Sequence, residues 1–279
     1  KSRDDDDKMS NALSRLLEED PTLSLEKNAE THETLLSGIG ETHLEVVAER
    51  FKNKFGVDVV LKPALIPYRE TIKKKVEVQG KHKKQSGGAG QYGDVWLRIE
   101  PYADEDFLFT EEVFGGAVPK NYFPAVEKGV REAMTQGILA GYPLGNIKVT
   151  LYDGSYHPVD SNEMAFKIAA SSGFKKGAEQ ASPVLLEPIM DMRITVPESY
   201  MGDIMGDLNS KRGRILGMEP TDDHKLQVIQ AQAPMSEVQK YVIDLKAMTQ
   251  GRGKFTMTLD HYEEVPAKIA EKIIAERNA

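Results

Sequence analysis

The chain has 279 residues, 40% hydrophobic and 29% charged, which excludes a disordered protein and predicts two or three folded domains. It contains no cysteine, which excludes a disulfide framework, a thiolate nucleophile and a cysteine-bound zinc site. The formal net charge of -8 argues against nucleic-acid binding over the whole surface, so any such binding must come from a local basic patch.

The N-terminal segment has two interpretations. Residues 4–8, DDDDK, are also a protease site used in expression tags. The same residues are also typical of an acidic segment that precedes an amphipathic helix. We treat them as native and predict a helix over residues 10–19. The acidic N-terminus is unlike a signal peptide, and no apolar run reaches the ~20 residues of a membrane span. We therefore expect a cytoplasmic protein with no membrane partner.

Residues 1–66 are predicted to form a first domain. After the helix, residues 22–39 alternate and turn like a β-hairpin. A second helix has apolar residues at helical spacing and ends at Gly56, and residues 57–61, VDVVL, are predicted to be a strand. The order αββαβ is that of a ferredoxin-like βαββαβ sandwich lacking its first strand, so we expect the chain to begin inside a domain.

Residues 184–279 show the intact version of this order. Strands are predicted at 189–196, 214–219, 225–233 and 255–262. One helix follows Pro197, and a second is capped by Ser236 and ends at Gly251. A final helix covers residues 266–277. These elements predict a complete ferredoxin-like domain with a C-terminal helix.

Residues 67–183 form a different middle domain. Strands at 71–80 and 94–102 flank a glycine-rich loop, and a helix is predicted over 122–136. A strand at 147–154 leads into a second loop, GSYHPVDSNE, and then a helix over 163–180. The overall prediction is an α+β chain of three domains.

The glycine-rich loop SGGAGQYGDV matches G-x-G-x-x-G-x-V through Gly88, Gly90, Gly93 and Val95. A dinucleotide site needs a helix after the loop, whereas a strand follows here. The kinase motifs H-R-D, D-F-G and A-P-E are absent, and so is a P-loop. We therefore predict no catalytic residue and no metal site, and a nucleotide-binding enzyme domain is only a remote alternative.

A dense basic stretch precedes this loop. Residues 69–84 hold seven Lys or Arg against two acids, including Lys81, Lys83 and Lys84. Lysines beside a glycine-rich loop with amides and a tyrosine suit RNA, because bare backbone can approach phosphates closely. A solvated basic strand explains the same composition, and composition alone leaves both interpretations open.

Long stretches resemble bacterial elongation factor G. KHKKQSGGAGQYGDV, FGGAVPKNYFPAVEKG, LAGYPLGNIKVTLYDGSYHPVDSNEMAFKIAAS, PVLLEPIM and MGDLNSKRG are similar to its C-terminal domains, and EEDPTLSLEKNAETHETLLSGIGETHLEVVAERFK to the domain before them. The resemblance implies the third, fourth and fifth of five domains, with a fourth domain like domain 2 of ribosomal protein S5. It also implies that GTP and Mg²⁺ bind an N-terminal domain of the parent GTPase that this fragment lacks, so no cofactor is expected here.

The resemblance further implies a translocation factor. Its partners would be the ribosome, with rRNA, the tRNA–mRNA duplex in the small-subunit decoding site and the large-subunit factor-binding region, and we expect a monomer. The implied decoding-site tip consists of two loops, Gln85, Ser86, Gly87, Gly88, Gly90, Gln91 and Tyr92 in the first, and His157, Asp160 and Ser161 in the second. Lys81, Lys83 and Lys84 would face RNA.

A second basic group, Lys211, Arg212 and Arg214, is implied to contact large-subunit rRNA, although cations at a helix C-terminus also complement the helix dipole. Two tip positions depart from the family pattern. Ala89 stands where an arginine is usual, and Pro158 follows His157. These departures suggest, as an alternative function, a paralogue acting in ribosome recycling or ribosome protection.

Overall fold

A computed structural model describes residues 3–28, 31–85, 90–221 and 225–278. Its helices are α1 (Arg3–Glu19), α2 (Glu41–Phe55), α3 (Phe123–Met134), α4 (Glu163–Gln180), α5 (Met201–Ser210), α6 (Met235–Val238), α7 (Tyr241–Thr249) and α8 (Ala267–Asn278). Its strands are β1 (Ser24–Lys27), β2 (Thr34–Ser37), β3 (Arg69–Ile72), β4 (Val76–Lys84), β5 (Gln91–Pro101), β6 (Phe107–Glu111), β7 (Ile147–Ser155), β8 (Pro183–Pro197), β9 (Arg214–Pro220), β10 (Leu226–Pro234) and β11 (Lys254–Glu264). The chain is an α+β protein.

The chain divides into two compact units. Unit 1 joins Lys1–Pro67 to Pro188–His261, and unit 2 joins Tyr68–Glu187 to Tyr262–Ala279. Within the described residues, no helix combines the length and the apolar character needed to cross a bilayer.

The first part of unit 1 packs α1 and α2 on the β1–β2 hairpin. Its buried side chains are Ala12, Leu16, Leu23, Val47 and Phe51. Gly56 ends α2 in the left-handed region with φ 66, as predicted. The predicted strand at 57–61 is wrong, because this segment is irregular. Val57 and Val59 still pack against this cluster. The alternation of apolar residues therefore indicates which side chains face the core, but it does not show that the backbone pairs with another strand.

The second part of unit 1 is the predicted ferredoxin-like domain. Its sheet has the order β11-β8-β10-β9, and the helices α5 and α7 cover one face. Ile194 and Ile229 are register partners at the centre of this core. The predicted cap at Ser236 is wrong, because Ser236 lies inside α6, which begins after Pro234 without a side-chain cap.

Unit 2 has a four-stranded sheet of order β4-β5-β7-β6. The pairs β4–β5 and β5–β7 are antiparallel, whereas β6 and β7 are parallel. The inward side chains of β5, Val95, Leu97 and Ile99, are fully buried under α3 and α4. This is the predicted S5-like middle domain.

The last residues of the chain pack with the middle domain. The amide of Val265 donates to Leu185 O at 2.9 Å, and the guanidinium of Arg277 lies 5.4 Å from the centre of the Tyr142 ring. The predicted domain of residues 184–279 differs from this grouping, in which residues 262–279 belong with residues 68–187. The boundaries after residues 66 and 183 stay predictions.

Candidate nucleic-acid interface

The sheet of unit 2 brings the two predicted tip loops to one end. Strands β4 and β5 form a hairpin whose outermost register pair is Lys84 and Gln91. Strand β7 runs antiparallel to β5 and ends with Ser155 opposite Asp94, so the second loop leaves from the same end. In the first loop, Gln85, Gly90, Gln91 and Tyr92 belong to the described residues. Ser86, Gly87, Gly88 and Ala89 lie outside them.

Asp160 and Ser161 hold the second loop against β5. Asp160 Oδ1 accepts from the amide of Gly90 at 3.0 Å, and its carbonyl accepts from the amide of Tyr92 at 2.9 Å. The hydroxyl of Ser161 donates to Tyr92 O at 2.9 Å and accepts from the amide of His157 at 2.8 Å. The polar atoms of these two residues are therefore largely used within the protein.

His157 presents a defined hydrogen-bond donor at the apex of the second loop. Its Nδ1 accepts from the amides of Val159 and Asp160 at 3.3 and 3.1 Å. These bonds assign the proton of the neutral ring to Nε2. The side chain is 51% exposed, and Pro158 beside it is exposed as well. The loop thus offers an Nε2–H donor to solvent.

A chain of hydrogen bonds supports the loops from below. The hydroxyl of Tyr92 pairs with Ser155 Oγ at 2.8 Å, and Ser155 Oγ donates to Asp94 Oδ2 at 2.7 Å. The side-chain amide of Gln79, through Nε2, donates to Asp94 Oδ1 at 2.8 Å. Because Ser155 uses its proton toward Asp94, Tyr92 is the donor to Ser155. Asp94 is buried, and the sequence did not predict its role in this chain of hydrogen bonds, because that role depends on partners from two other strands, β4 and β7.

Two glycines of the G-x-G-x-x-G pattern serve close packing. A Cβ on Gly90 would lie 2.8 Å from Asp160 Cγ, and one on Gly93 would lie 2.5 Å from Ala165 O. Neither distance is compatible with a side chain. Gly90 and Gly93 therefore let β5 approach the second loop and α4, which accounts for them without a bound nucleotide.

The three predicted RNA-facing lysines lie along the exposed end of β4. Lys81 Nζ is 4.0 Å from Asp94 Oδ2 and 5.6 Å from the centre of the Tyr92 ring. Lys83 and Lys84 are exposed and form no ion pair with the residues that the structure describes. This end of the sheet consequently carries uncompensated positive charge on a chain of net charge -8.

The second basic group is engaged within unit 1. Lys211 Nζ pairs with Asp207 and Asp244 at 2.5 and 3.2 Å. Burial alone would lower the pKa of Lys211, but the hydrogen bonds to these carboxylates outweigh it and raise the pKa. Arg212 Nε donates to Glu237 at 3.1 Å, whereas Arg214 is exposed. The ion pairs favour a role of Lys211 and Arg212 inside the domain, and contact with rRNA stays a prediction.

Among the described residues, no group of three His, Asp or Glu side chains is arranged to hold a metal ion. His157 Nδ1 lies 3.5 Å from Asp160 Oδ2, but its two amide donors occupy the nitrogen that a general base would use.

Comparisons with known proteins agree with this arrangement. The family descriptions "Elongation Factor G, domain III", "Elongation factor G, domain IV" and "Elongation factor G C-terminus" match residues 1–63, 64–182 and 184–273. A crystal structure of a protein from Thermus thermophilus is 47% identical with a TM-score of 0.89, and the match covers 100% of this chain and 41% of that one. The chain thus spans less than half the length of that relative. With three adjacent matches in family order, this chain belongs to the elongation factor G family of translation factors.

Proposed function

We propose that this chain is the C-terminal arm of a ribosomal translocation GTPase, which moves tRNA and mRNA through the ribosome. The observation that supports the proposal most directly is the pair of loops joined by Asp160 at the basic end of the unit 2 sheet. GTP and Mg²⁺ would bind a domain outside the matched ones, and this arm would act by contact and position.

The chemistry of the loops suits RNA in the decoding site. An exposed Nε2–H on His157 can donate to a ribose 2′-oxygen or a phosphate, and Lys83 and Lys84 can neutralise phosphates. The hydrogen bonds of Asp160 and Ser161 fix the second tip loop against Gly90 and Tyr92 in advance, so ordering that loop costs little on binding. A preorganised second tip loop can follow a codon–anticodon duplex and oppose its return.

Ribosome binding by the 279-residue chain tests the RNA-facing part of the proposal. A Lys81→Glu, Lys83→Glu, Lys84→Glu variant should bind ribosomes more weakly, and the slope of log affinity against log salt should become shallower. The expected change is about 0.7–0.9 for each phosphate that the variant no longer neutralises. The control reverses the exposed Lys128, Lys176 and Lys268, which lie on helices of the same unit. Equal affinity and equal slope in both variants would contradict the proposal.

Translocation itself needs a GTPase domain, so we would replace the matching region of a translocating elongation factor G with residues 1–279. A toeprint of a pre-translocation ribosome with this chimaera and GTP should advance by one codon. The alternative function, a paralogue for ribosome recycling or ribosome protection, rests on Ala89 and Pro158. It predicts no advance, together with splitting of post-termination ribosomes.

A further inference from the structure

A third loop lies at the same end of unit 2 as the two tip loops. Strand β6 runs parallel to β7, and its last register pair joins Glu111 to Leu151. Because parallel strands end at the same edge of a sheet, the loop over residues 112–119 leaves β6 where β7 leads into the second tip loop. The amide of Glu112 donates to Leu151 O at 2.8 Å, which extends the pairing into this third loop.

Side chains tie the third loop to the tip. Val118, which is buried, lies so close to Gly154 that a Cβ there would be 2.5 Å from Val118 Cγ2. Just after the loop, the hydroxyl of Tyr122 donates to Ser161 O at 3.2 Å, and its ring stacks on Phe166 at 4.6 Å between centroids. The base of the third loop is thus anchored to the second loop and to the core.

The outermost residue of this loop is an aromatic ring in solvent. Phe114 is 93% exposed. It precedes Gly115 and Gly116, which have φ 65 and φ 72, and the amide of Ala117 returns to Phe114 O at 3.4 Å. Two successive left-handed residues closed in this way form a tight turn that glycine adopts without strain. Phe114 is the first residue of this turn.

The third loop itself adds no exposed large apolar side chain beside Phe114, although Tyr156 and Val159 on the second tip loop are exposed. Val113 packs on the core, Val118 is buried, and the two glycines add no side chain, with nothing within 4 Å of a Cβ at either position. A protein partner would be expected to find an apolar surface around its anchor. A ring that is 93% exposed beside bare backbone leaves its flat faces open, which suits stacking on an unpaired base.

We propose that Phe114 is a stacking platform for a nucleotide base and that residues 112–119 form a third RNA-contacting loop at the tip. This inference rests on the proposed function, because the loop shares its end of the sheet with His157 and the lysines of β4. Lys120, exposed at the end of the loop, adds a positive charge beside it. Glu112 pairs with Arg98, with Oε2 2.8 Å from Nη1. Arg98 also pairs with Glu77, so the charge of Glu112 is only partly compensated.

A substitution series at Phe114 tests the stacking. Ribosome affinity of the 279-residue chain is measured for Phe114→Trp, Phe114→Leu and Phe114→Ala at one salt concentration. Stacking predicts that Phe114→Trp binds at least as tightly as the parent, whereas Phe114→Leu and Phe114→Ala bind about five- to a hundredfold more weakly. Chemical footprinting of the ribosome-bound RNAs should show a base that the parent protects and Phe114→Ala does not. Because the ring is exposed, the melting temperatures should be unchanged.

Three results would overturn the inference. If Phe114→Leu keeps the ribosome affinity of the parent while Phe114→Ala loses it, the ring occupies an apolar pocket on a protein. Weaker ribosome binding by Phe114→Trp than by the parent would indicate the same. Parental affinity in all three variants would show no contact. The variant with Lys81, Lys83 and Lys84 reversed separates the two proposals. If it binds weakly while all Phe114 variants bind normally, only this inference fails, and if it also binds normally, the proposed function fails with it.

Discussion

The carboxylate of Glu70 accepts a hydrogen bond from the backbone amide of Ala140 at 2.9 Å, in a site where Glu70 has no exposed surface. The same Oε1 accepts from Tyr142 N at 3.1 Å, and Oε2 accepts from the amides of Ile138 and Leu139 at 2.5 and 2.9 Å. One side chain thus satisfies four amides of the turn between α3 and β7. A buried amide without a partner would cost free energy, so Glu70 fixes the path of this turn.

Replacing this carboxylate with an amide should destabilise unit 2. Glu70→Gln puts an NH₂ group where two backbone amides now donate, so two buried donors lose their acceptor. We expect the free energy of unfolding to fall by about 2–4 kcal/mol, measured by urea denaturation. Glu111→Gln, at an exposed position on β6, is the matched control and should change it by less than about 0.5 kcal/mol. A small effect at Glu70 would mean that the turn is held by other contacts.

The approach of α4 to β4 depends on a pair of glycines. A Cβ on Gly80 would lie 2.1 Å from Ala169 O and 2.8 Å from Gly173 Cα. Gly80→Ala should push the helix away and cost about 1–3 kcal/mol of unfolding free energy. Gly206→Ala, inside α5 with nothing within 4 Å, should stabilise by about 0.5–1 kcal/mol because alanine favours the helix. Denaturant unfolding of both variants measures the change in unfolding free energy, which should be a decrease for Gly80→Ala and an increase for Gly206→Ala. A change in the same direction for both variants would contradict this account.

Asp160 and His157 of the second tip loop are predicted to have different roles, Asp160 positioning the loop and His157 contacting RNA. Asp160→Ala removes the carboxylate that accepts from the amide of Gly90, so hydrogen exchange at Gly90 should become faster while ribosome affinity falls. The amide of Tyr92 keeps its acceptor, the backbone carbonyl of residue 160, and should change less. His157→Ala should also lower ribosome affinity, but it should leave exchange at Gly90 and Tyr92 unchanged. Amide exchange followed by NMR distinguishes the two. Unchanged exchange in Asp160→Ala would argue that Asp160 acts by direct contact.

Local patterns predicted most elements but not every pairing. The helix predicted over 163–180 is α4, because its apolar spacing and its cap at Asn162, which accepts from the amide of Ala165, are local signals. The segment 57–61 shows the limit, since alternation cannot say whether a neighbouring strand is available. The packing of α8 with the middle domain is a long-range contact that no periodicity records.

The sequence indicated which residues lie at the tip of unit 2 more readily than it indicated what each residue does there. The side chains of His157, Lys81, Lys83 and Lys84 are exposed, and their contact with RNA stays a prediction. The predicted contact residues Asp160 and Ser161 are instead largely bonded to β5, which only the meeting of two distant loops reveals. The sequence offers one indication of Phe114, an aromatic residue followed by two glycines. Its exposure, however, depends on the parallel pairing of β6 and β7.

The stability of unit 1 should depend on pH through Asp20. The hydroxyl and amide of Thr22 donate to Asp20 Oδ1 at 2.6 and 3.0 Å, and His43 Nε2 lies 2.8 Å from Oδ2. These bonds, that from the Thr22 hydroxyl foremost, lower the pKa of Asp20 from 3.8 to about 2. Because the folded pKa is lower than the unfolded one, this stabilisation is complete above pH 3.8 and is lost as the pH falls toward 2.

Asp20→Asn isolates this contribution from the other carboxylates, which titrate in both proteins. The melting temperature of the variant should lie below that of the parent at neutral pH, and the gap should narrow as the pH falls below about 4. Thermal unfolding followed by circular dichroism across this range measures the gap. Asp58→Asn, which removes an exposed carboxylate near α2, is the control and should run parallel to the parent. A constant gap for Asp20→Asn would show that its hydrogen bonds stabilise the fold independently of charge.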